Sequence, residues 1–189
     1  AGVMTASAAL AADYLAGPND KVVIALIGAG DRGRNTIINL CKISQGVEIK
    51  YICDVNDVKS SMTLDEVNKQ LGYTPTPVRN MKEVFDDKEV DAVFIATPDH
   101  WHAPMAIEAL NNGVSAYVEK PMTHTVEETY RLREAAKNSS AKLMVGHQHR
   151  QTLSFKTAKD IVKKGTLGHV SMVQTNTNRN DDNGAWNYH

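Results

Sequence analysis

A glycine-rich turn that joins an apolar run to a helical pattern constrains the fold of this chain more than any other feature. The run Val22–Ile27 is almost wholly apolar, as expected of a strand that is covered on both faces. The turn that follows consists of Gly28, Ala29, Gly30, Asp31, Arg32 and Gly33. Its glycines allow a tight turn, a close approach of the backbone to a ligand, and close packing of a helix on the strand. The segment therefore predicts a strand, a phosphate-binding turn and a helix whose free N–H groups face the phosphates.

Short apolar runs alternate with helical patterns over most of the sequence, which predicts a parallel sheet with crossover helices. The predicted strands are 22–27, 47–53, 90–96, 115–118 and 143–145. The predicted helices are 31–44, a stretch that ends at 71, a short helix after 80, 103–112, 125–137 and 155–164. Capping-box patterns begin two of them, at Asn80 with Glu83 and at Thr125 with Glu128.

We predict a Rossmann domain, a doubly wound parallel α/β sheet, over residues 21–150. Residues 151–189 are predicted to be the start of a truncated second α+β domain. The alternating pattern over 169–177 predicts the first strand of its more open sheet.

Residues 1–20 differ in kind from the rest of the chain and are assigned to a separate segment. Residues 1–12 are small or apolar and carry no charge. They resemble the end of a secretory signal peptide with its cleavage site, and an Ala-rich N-terminal arm is the alternative. The parent protein is accordingly either exported to the periplasm or cytoplasmic. The run is too short to span a bilayer, so no membrane partner is expected.

Charge and cysteine content narrow the function further. The 21 basic and 22 acidic residues give a net charge of −1, and the basic residues are scattered, so no nucleic-acid partner is expected. The two cysteines, Cys41 and Cys53, fall in a predicted helix and a predicted strand. Both are expected to be buried free thiols.

An acidic residue, Asp54, follows the second predicted strand about 20 residues beyond the glycine turn. At this position a carboxylate accepts hydrogen bonds from the adenosine ribose hydroxyls of a dinucleotide. A 2′-phosphate would meet a like charge there, so Asp54 favours NAD over NADP as the cofactor. Two alternatives stay open at this point: a glycine turn that binds no ligand, and a methyltransferase with a similar glycine loop.

Two further strand ends carry unusual residues, and a doubly wound sheet places both beside the glycine turn. One reads Thr97-Pro98-Asp99-His100-Trp101-His102 and the other Glu119-Lys120-Pro121. With the glycine turn, the helix that follows His102 and the Gly165-x-x-Gly168 step, they resemble the glucose–fructose oxidoreductase / inositol dehydrogenase (Gfo/Idh/MocA) family. The resemblance runs from about residue 21 to residue 177, and a methyltransferase explains none of the later motifs.

The resemblance implies roles for five residues outside the glycine turn. Lys120 would reach the substrate hydroxyl and the nicotinamide ribose as the catalytic acid/base. Glu119 and His102 would line the cofactor site, with Thr97 and Pro98 against the nucleotide. A lysine is too basic to exchange protons efficiently at neutral pH unless burial beside a cationic nicotinamide lowers its pKa. A surface lysine at a strand end is the alternative for Lys120.

Five histidines are predicted to lie near the carboxyl edge of the sheet: His100, His102, His124, His147 and His149. No carboxylate or thiolate is spaced to complete a metal site with them, so no metal is expected. They are interpreted as hydrogen-bonding residues of the site or of its wall.

The resemblance implies an NAD-dependent oxidoreductase that transfers a hydride between NAD and a hydroxyl of a sugar or cyclitol. Two alternatives stay open: glycoside hydrolysis or elimination through transient oxidation with NAD retained, and a non-catalytic dinucleotide-binding regulator. An intact Glu119-Lys120-Pro121 argues against the regulator. Family members are longer and carry a substrate domain with an Asp/His pair that assists the lysine. We therefore expect this chain to be a fragment, inactive alone, of a homo-oligomer that acts on a small sugar or polyol.

Overall fold

The computed structural model describes residues 21–44 and 46–176. The strands are β1 (Val22–Ile27), β2 (Val47–Cys53), β3 (Thr76–Val78), β4 (Ala92–Ile95), β5 (Ser115–Glu119) and β6 (Leu143–Gly146). The helices are α1 (Asp31–Ile43), α2 (Asp57–Leu71), α3 (Met81–Asp86), α4 (His102–Asn111), α5 (Val126–Asn138) and α6 (Leu153–Lys163). The strands form one parallel sheet in the order β3-β2-β1-β4-β5-β6. The predicted doubly wound α/β fold is confirmed.

Side chains alternate across β1 and build a hydrophobic core on each face of the sheet. Ala25 and Ile27 belong to the core that α3, α4 and α5 cover. Ile24 and Leu26 belong to the core that α1 and α2 cover. Because both faces are buried, the strand needs an almost continuous apolar sequence, which is the pattern that predicted it.

Of the two predicted capping boxes, the structure forms one. At the start of α5, Thr125 Oγ1 accepts the Glu128 N–H at 3.1 Å, and Glu128 Oε2 accepts the Thr125 N–H at 3.1 Å. At the start of α3, Asn80 Oδ1 instead accepts the N–H of Lys82 at 3.0 Å. The box predicted there is wrong, because Asn80 caps the second helical residue and not Glu83, the third.

Several elements differ from the prediction. Residues 76–78 form β3, which was not among the predicted strands. Pro77 is tolerated there because β3 is an edge strand that pairs with β2 alone. Helix α6 begins at Leu153, two residues before the predicted start. The strand predicted over 169–177 is wrong for residues 169–176, because a strand needs a hydrogen-bonded neighbour and no other described segment pairs with them.

The chain separates into two compact units, with the boundary between Gln148 and His149. The sheet and helices α1 to α5 belong to the first unit. The second unit contains α6, and there the rings of His149 and Phe155 stack with their centroids 6.1 Å apart. The signal-like residues 1–20 lie outside the described residues. Among the helices that the structure describes, none combines the length and apolar character needed to cross a bilayer.

Candidate cofactor-binding site

The candidate site lies at the carboxyl edge of the sheet, where the strand order reverses. Strands β2 and β3 lie on one side of β1, and β4, β5 and β6 lie on the other. The segments that follow β1 and β4 are therefore neighbours, and doubly wound folds bind their ligands in the crevice between such segments. The predicted site residues end strands at this edge, follow them or lie in the first turns of the helices that leave it.

At two of the three glycines in the turn, the surrounding protein leaves no room for a side chain. Gly28 has a φ of +98°, and a Cβ there would lie 2.7 Å from the backbone carbonyl of Ala96. A Cβ on Gly33 would collide with the carbonyl oxygen of Gly28, because α1 packs closely against β1. Gly30 differs, since a Cβ there would meet no described atom within 4 Å. This open space is where the motif brings a pyrophosphate close to the backbone.

The N-terminus of α1 opens onto the same space. Gly30 is its N-cap and offers no side chain, so the N–H groups of the first turn receive no side-chain cap. Such uncapped N–H groups, with the helix dipole behind them, attract anions. Asp31 in this turn forms an ion pair with Arg34 Nη2 at 2.6 Å, which partly offsets the negative charge that would repel a phosphate.

Asp54 holds the glycine turn in place from the end of β2. Its Oδ2 accepts the N–H of Ala29 at 2.7 Å, and its Oδ1 accepts the N–H of Asn56 at 2.8 Å. Thr63 of α2 completes the arrangement by donating its hydroxyl to the carbonyl oxygen of Ala29 at 2.9 Å. Ala29 is fully buried with both backbone groups engaged, so it shapes the turn, and its own contact with a cofactor stays a prediction.

His102 joins the two further strand ends. It is 2% exposed, and its Nδ1 lies 2.6 Å from the carbonyl oxygen of Pro121 while its Nε2 lies 2.8 Å from that of Thr97. The turn after β4 is thereby connected to the segment after β5. His102 was predicted to line the cofactor site, whereas the structure gives it two backbone contacts beneath the surface. Pro98 is exposed and precedes the 3₁₀ turn Asp99–Trp101.

Glu119 and Arg32 bring the third strand end against the glycine turn. Arg32 Nη2 lies 2.8 Å from Glu119 Oε1, although the Glu119 side chain is 5% exposed and that of Arg32 is 52% exposed. The contact lacks the alignment of a hydrogen bond, so this buried oxygen has no hydrogen-bond donor within the described chain. Lys120, the next residue, is exposed. Lys120 was expected to be partly buried beside a bound cofactor, but the described residues of this unit leave it exposed.

Among the described residues, the other histidines predicted near this edge do not form a metal site with neighbouring side chains. Within residues 21–44 and 46–176, no group of His, Cys, Asp and Glu is placed to hold a metal ion. Strand β6 ends at Gly146, so His147 does not extend it, and His149 belongs to the second unit. His124 follows β5, and its backbone N–H donates to Glu128 Oε2 at 2.6 Å.

Neither cysteine offers a reactive thiolate. Burial, with smaller contributions from the charges of Asp54 and Glu83, raises the pKa of Cys53 to about 11. Burial also raises the pKa of Cys41 to about 11, against an opposing hydrogen bond with Tyr73. Both thiols therefore stay protonated at neutral pH. They are free, as predicted, although Cys41 is only half-buried.

One residue that shapes the site is absent from the residues predicted to form it. Thr63 is fully buried, yet it was treated as part of an ordinary helix. The signal was present, because the buried positions of α2 are Ser60, Thr63 and Val67, and two of these three are polar. A polar side chain on the buried face of a helix needs a hydrogen-bond partner, and the nearby glycine turn supplies it.

Comparison with known proteins agrees with this geometry. Residues 22–147 match the model of an oxidoreductase family with an NAD-binding Rossmann fold, the Gfo/Idh/MocA family. The chain belongs to this family. A glycosyl hydrolase family 109 protein of Shewanella baltica is 30% identical over 155 residues, which cover 80% of this chain and 34% of that protein. The predicted family and its NAD cofactor are confirmed, and the methyltransferase alternative is overturned.

Two solved structures of sugar- and cyclitol-related enzymes share the fold. The WlbA dehydrogenase from Bordetella pertussis, solved with NADH and UDP-GlcNAcA, is 26% identical with a TM-score of 0.67, covering 78% of this chain and 43% of that chain. The myo-inositol 2-dehydrogenase from Lactobacillus plantarum is 29% identical with a TM-score of 0.66, covering 78% of this chain and 42% of that chain. The chain thus spans about a third of the curated relative and less than half of each solved structure.

Proposed function

We propose that the complete protein is an NAD-dependent oxidoreductase that transfers a hydride between NAD and a hydroxyl-bearing carbon of a sugar or cyclitol. The observation that carries this proposal is the meeting of the glycine turn and the lysine-bearing strand end, where Arg32 and Glu119 lie 2.8 Å apart. A cofactor on the turn is then next to Lys120, a group that can exchange a proton with a hydroxyl. We assign the substrate pocket to the domain that begins after residue 150.

The residues at this edge fit a dinucleotide at three points. Gly30 leaves open space beside the uncapped first turn of α1, which suits a pyrophosphate. Asp54 is half-buried, and each of its oxygens accepts one backbone N–H, which leaves lone pairs for the adenosine ribose hydroxyls. Glu119 has a buried oxygen without a hydrogen-bond donor in the described chain, which suits a hydroxyl of the second ribose.

Lys120 is the proposed acid/base. NAD, when bound, accepts or supplies the hydride. In the direction of oxidation, Lys120 Nζ takes the proton that leaves the substrate hydroxyl, and in the reverse direction it returns that proton. The side chain is exposed, so Nζ can reach a substrate without breaking a buried contact. Glu119 on one side and Pro121 on the other fix the backbone that carries it, through Arg32 and His102 respectively.

The substrate class rests on the similar proteins. One solved relative holds UDP-GlcNAcA, and another acts on myo-inositol, so both handle polyhydroxylated rings. A hydroxyl on such a ring is the group that a proton acceptor next to NAD can oxidise. A sugar or polyol is therefore the substrate that we propose for the complete protein.

A second candidate function is glycoside hydrolysis through transient oxidation of a ring hydroxyl. The observation that favours it is the 30% identity to a glycosyl hydrolase family 109 protein. This chemistry would use the same NAD site and the same lysine, because a ring hydroxyl is first oxidised to a ketone and the ketone is reduced back to a hydroxyl at the end. The two functions differ in whether a glycosidic bond is cleaved and in whether reduced cofactor leaves the cycle.

The test is steady-state turnover of the full-length protein with NAD and a panel of sugars and cyclitols, followed by NADH absorbance. Lys120→Ala should lower turnover by about 10²- to 10⁴-fold while NAD affinity stays nearly unchanged, because the lysine acts on the proton. Lys120→Arg should not restore activity, since a guanidinium does not readily give up a proton. Lys137→Ala, which removes an exposed lysine of α5 paired with Glu134, is the matched control.

Full activity in Lys120→Ala would show that the lysine is structural. Collapse of NAD binding together with activity would make it a cofactor ligand instead. A parallel assay with p-nitrophenyl glycosides separates the two functions. Release of nitrophenol without net NADH would favour the glycosidase, and NADH formed from free sugars would favour the dehydrogenase.

A further inference from the structure

Arg32 and Glu119 come from two motifs that are far apart in the sequence, yet their side chains meet. Arg32 lies in the first turn of α1, and Glu119 is the last residue of β5. Their charged groups lie 2.8 Å apart. The contact links the turn that suits a pyrophosphate to the strand end that carries Lys120.

The two partners are placed in unequal surroundings. The Glu119 side chain is 5% exposed, and a carboxylate removed from water needs a nearby positive charge and hydrogen-bond donors. Arg32 supplies the charge, but the buried Oε1 gains no hydrogen bond from the described residues. The Arg32 side chain is 52% exposed, so its guanidinium reaches Glu119 from the solvent side. The carboxylate is thus held in position with acceptor capacity left over.

Arg32 has a simpler alternative role, as a direct charge partner of the pyrophosphate. The structure gives that anion other donors, namely the uncapped N–H groups at the start of α1 beside the open space at Gly30. Glu119 has no comparable second partner for its charge among the described ion pairs. The buried carboxylate therefore depends on Arg32 more than a phosphate at the turn does.

We infer that Arg32 is a positioning residue, which acts through Glu119 to hold the nicotinamide-side ribose of the cofactor rather than its phosphates. Glu119 accepts a hydroxyl of that ribose with its free acceptor capacity, and Arg32 keeps the carboxylate aimed there. The inference rests on the proposed function only in that NAD occupies this edge. It assigns the glycine turn a second task, because one of its side chains fixes the strand end next to the catalytic lysine.

The test is a double-mutant cycle on the full-length protein freed of bound cofactor, with NAD and ADP titrated by calorimetry. ADP retains the adenosine ribose and two phosphates but lacks the second ribose. Arg32→Ala and Glu119→Gln should each weaken NAD about 10- to 100-fold, as expected for a lost hydrogen bond to a charged group. The double variant should bind NAD with about the same affinity as the single variant that binds it less tightly. ADP affinity should change by less than about threefold in all three variants.

Lys21→Ala is the matched control, because it removes an exposed cation that pairs with Glu48 at the opposite, amino edge of the sheet. It should leave NAD and ADP affinity within about threefold of the wild type. Equal loss of NAD and ADP affinity in Arg32→Ala would overturn the inference and make Arg32 a phosphate ligand. Additive effects in the cycle would overturn it as well, since the two residues would then act independently.

Thermal unfolding of each variant shows whether it is folded. If Arg32→Ala does not fold, the cycle is repeated with Arg32→Lys and Glu119→Asp. Both substitutions keep the charges but disturb the alignment of the cation with the carboxylate. The same pattern is expected of them, with weaker NAD binding and unchanged ADP binding, and unchanged NAD binding in both would overturn the inference. The proposed function fails on a different observation, which is full turnover in Lys120→Ala while NAD still binds.

Discussion

The two sides of the cofactor crevice are built by different means. On the β2 side, Asp54 and Thr63 hold the backbone of Ala29, so that the glycine turn is shaped by bonds to main-chain atoms. On the β5 side, the segment that carries Lys120 is held by side chains from other elements, which are Arg32 of α1 and His102 of α4. On the first side, called the backbone side below, both contacts end on main-chain atoms of one residue. On the second side, called the side-chain side, one of the two contacts joins two side chains, those of Arg32 and Glu119.

The difference separates binding from chemistry. The glycine turn is held by contacts to a fully buried residue, so it should keep its shape when surface side chains change. The strand end that carries Lys120 depends on Arg32, whose side chain is half-exposed, so a single surface substitution should alter it. Folds that serve many reactions commonly change such positions and keep the scaffold. We therefore expect substitutions on the two sides to separate affinity from turnover.

The largest expected effect is on the backbone side. Gly30→Val should lower NAD affinity by on the order of 10³-fold or more, because its side chain would fill the space in which the pyrophosphate approaches the backbone. The free energy of unfolding should change by about 1 kcal/mol or less, since the new Cβ meets no described atom and only the N-cap preference is lost. Calorimetry and urea unfolding measure the two effects.

Gly33→Ala is the matched control for that experiment. It should destabilise the fold itself, because the added Cβ collides with the carbonyl oxygen of Gly28. Retained NAD affinity in a folded Gly30→Val protein would refute the phosphate-turn assignment.

An intermediate effect is expected at Asp54, which serves both the turn and the predicted ribose site. Asp54→Ala should weaken NAD about 10- to 100-fold, because it removes a charged acceptor, and should narrow the preference for NAD over NADP. Asp54→Asn can still accept the Ala29 N–H but loses the charge and the acceptor for the Asn56 N–H, so its loss of NAD affinity should be smaller than that of Asp54→Ala. Titration of both cofactors checks this, and equal affinity of the wild type for NAD and NADP would contradict the ribose assignment.

The smallest expected effect is on the side-chain side. His102→Phe removes two buried contacts with backbone carbonyls and should lower the free energy of unfolding by about 1–3 kcal/mol. His100→Phe, an exposed position on the preceding turn, should change it by less than about 0.5 kcal/mol. If urea unfolding gives both variants the same midpoint, His102 does not hold the two strand ends together, and the comparison between the two sides loses one of its supports.

The sequence predicted the backbone side well because its signals are local. The turn glycines, the helix after them and Asp54 follow one another within a single strand-helix-strand unit. The capping box of α5 was equally readable, since Thr125 and Glu128 are three residues apart. In each of these cases, the residues that determine the structure lie within one or two elements of each other.

The side-chain side could not be predicted in the same way. That Arg32 would contact Glu119, and that His102 would reach the carbonyl oxygen of Pro121, depend on how β1, β4 and β5 pair. No periodicity or spacing encodes such contacts. The strand predicted for residues 169–176 was wrong for a related reason, because an alternating pattern shows that a segment can pair but does not supply its partner.

The three glycines of the turn tolerate substitution to different degrees, for different physical reasons. Gly28 and Gly33 are enforced by neighbouring backbone, so a descendant that lost the coenzyme would still have to keep them in order to fold. Gly30 is crowded by no described atom, so the position can drift once the coenzyme is lost. A chain of this fold with glycine at positions 28 and 33 and a bulky residue at position 30 is therefore expected to keep the architecture and to lose the space for the coenzyme.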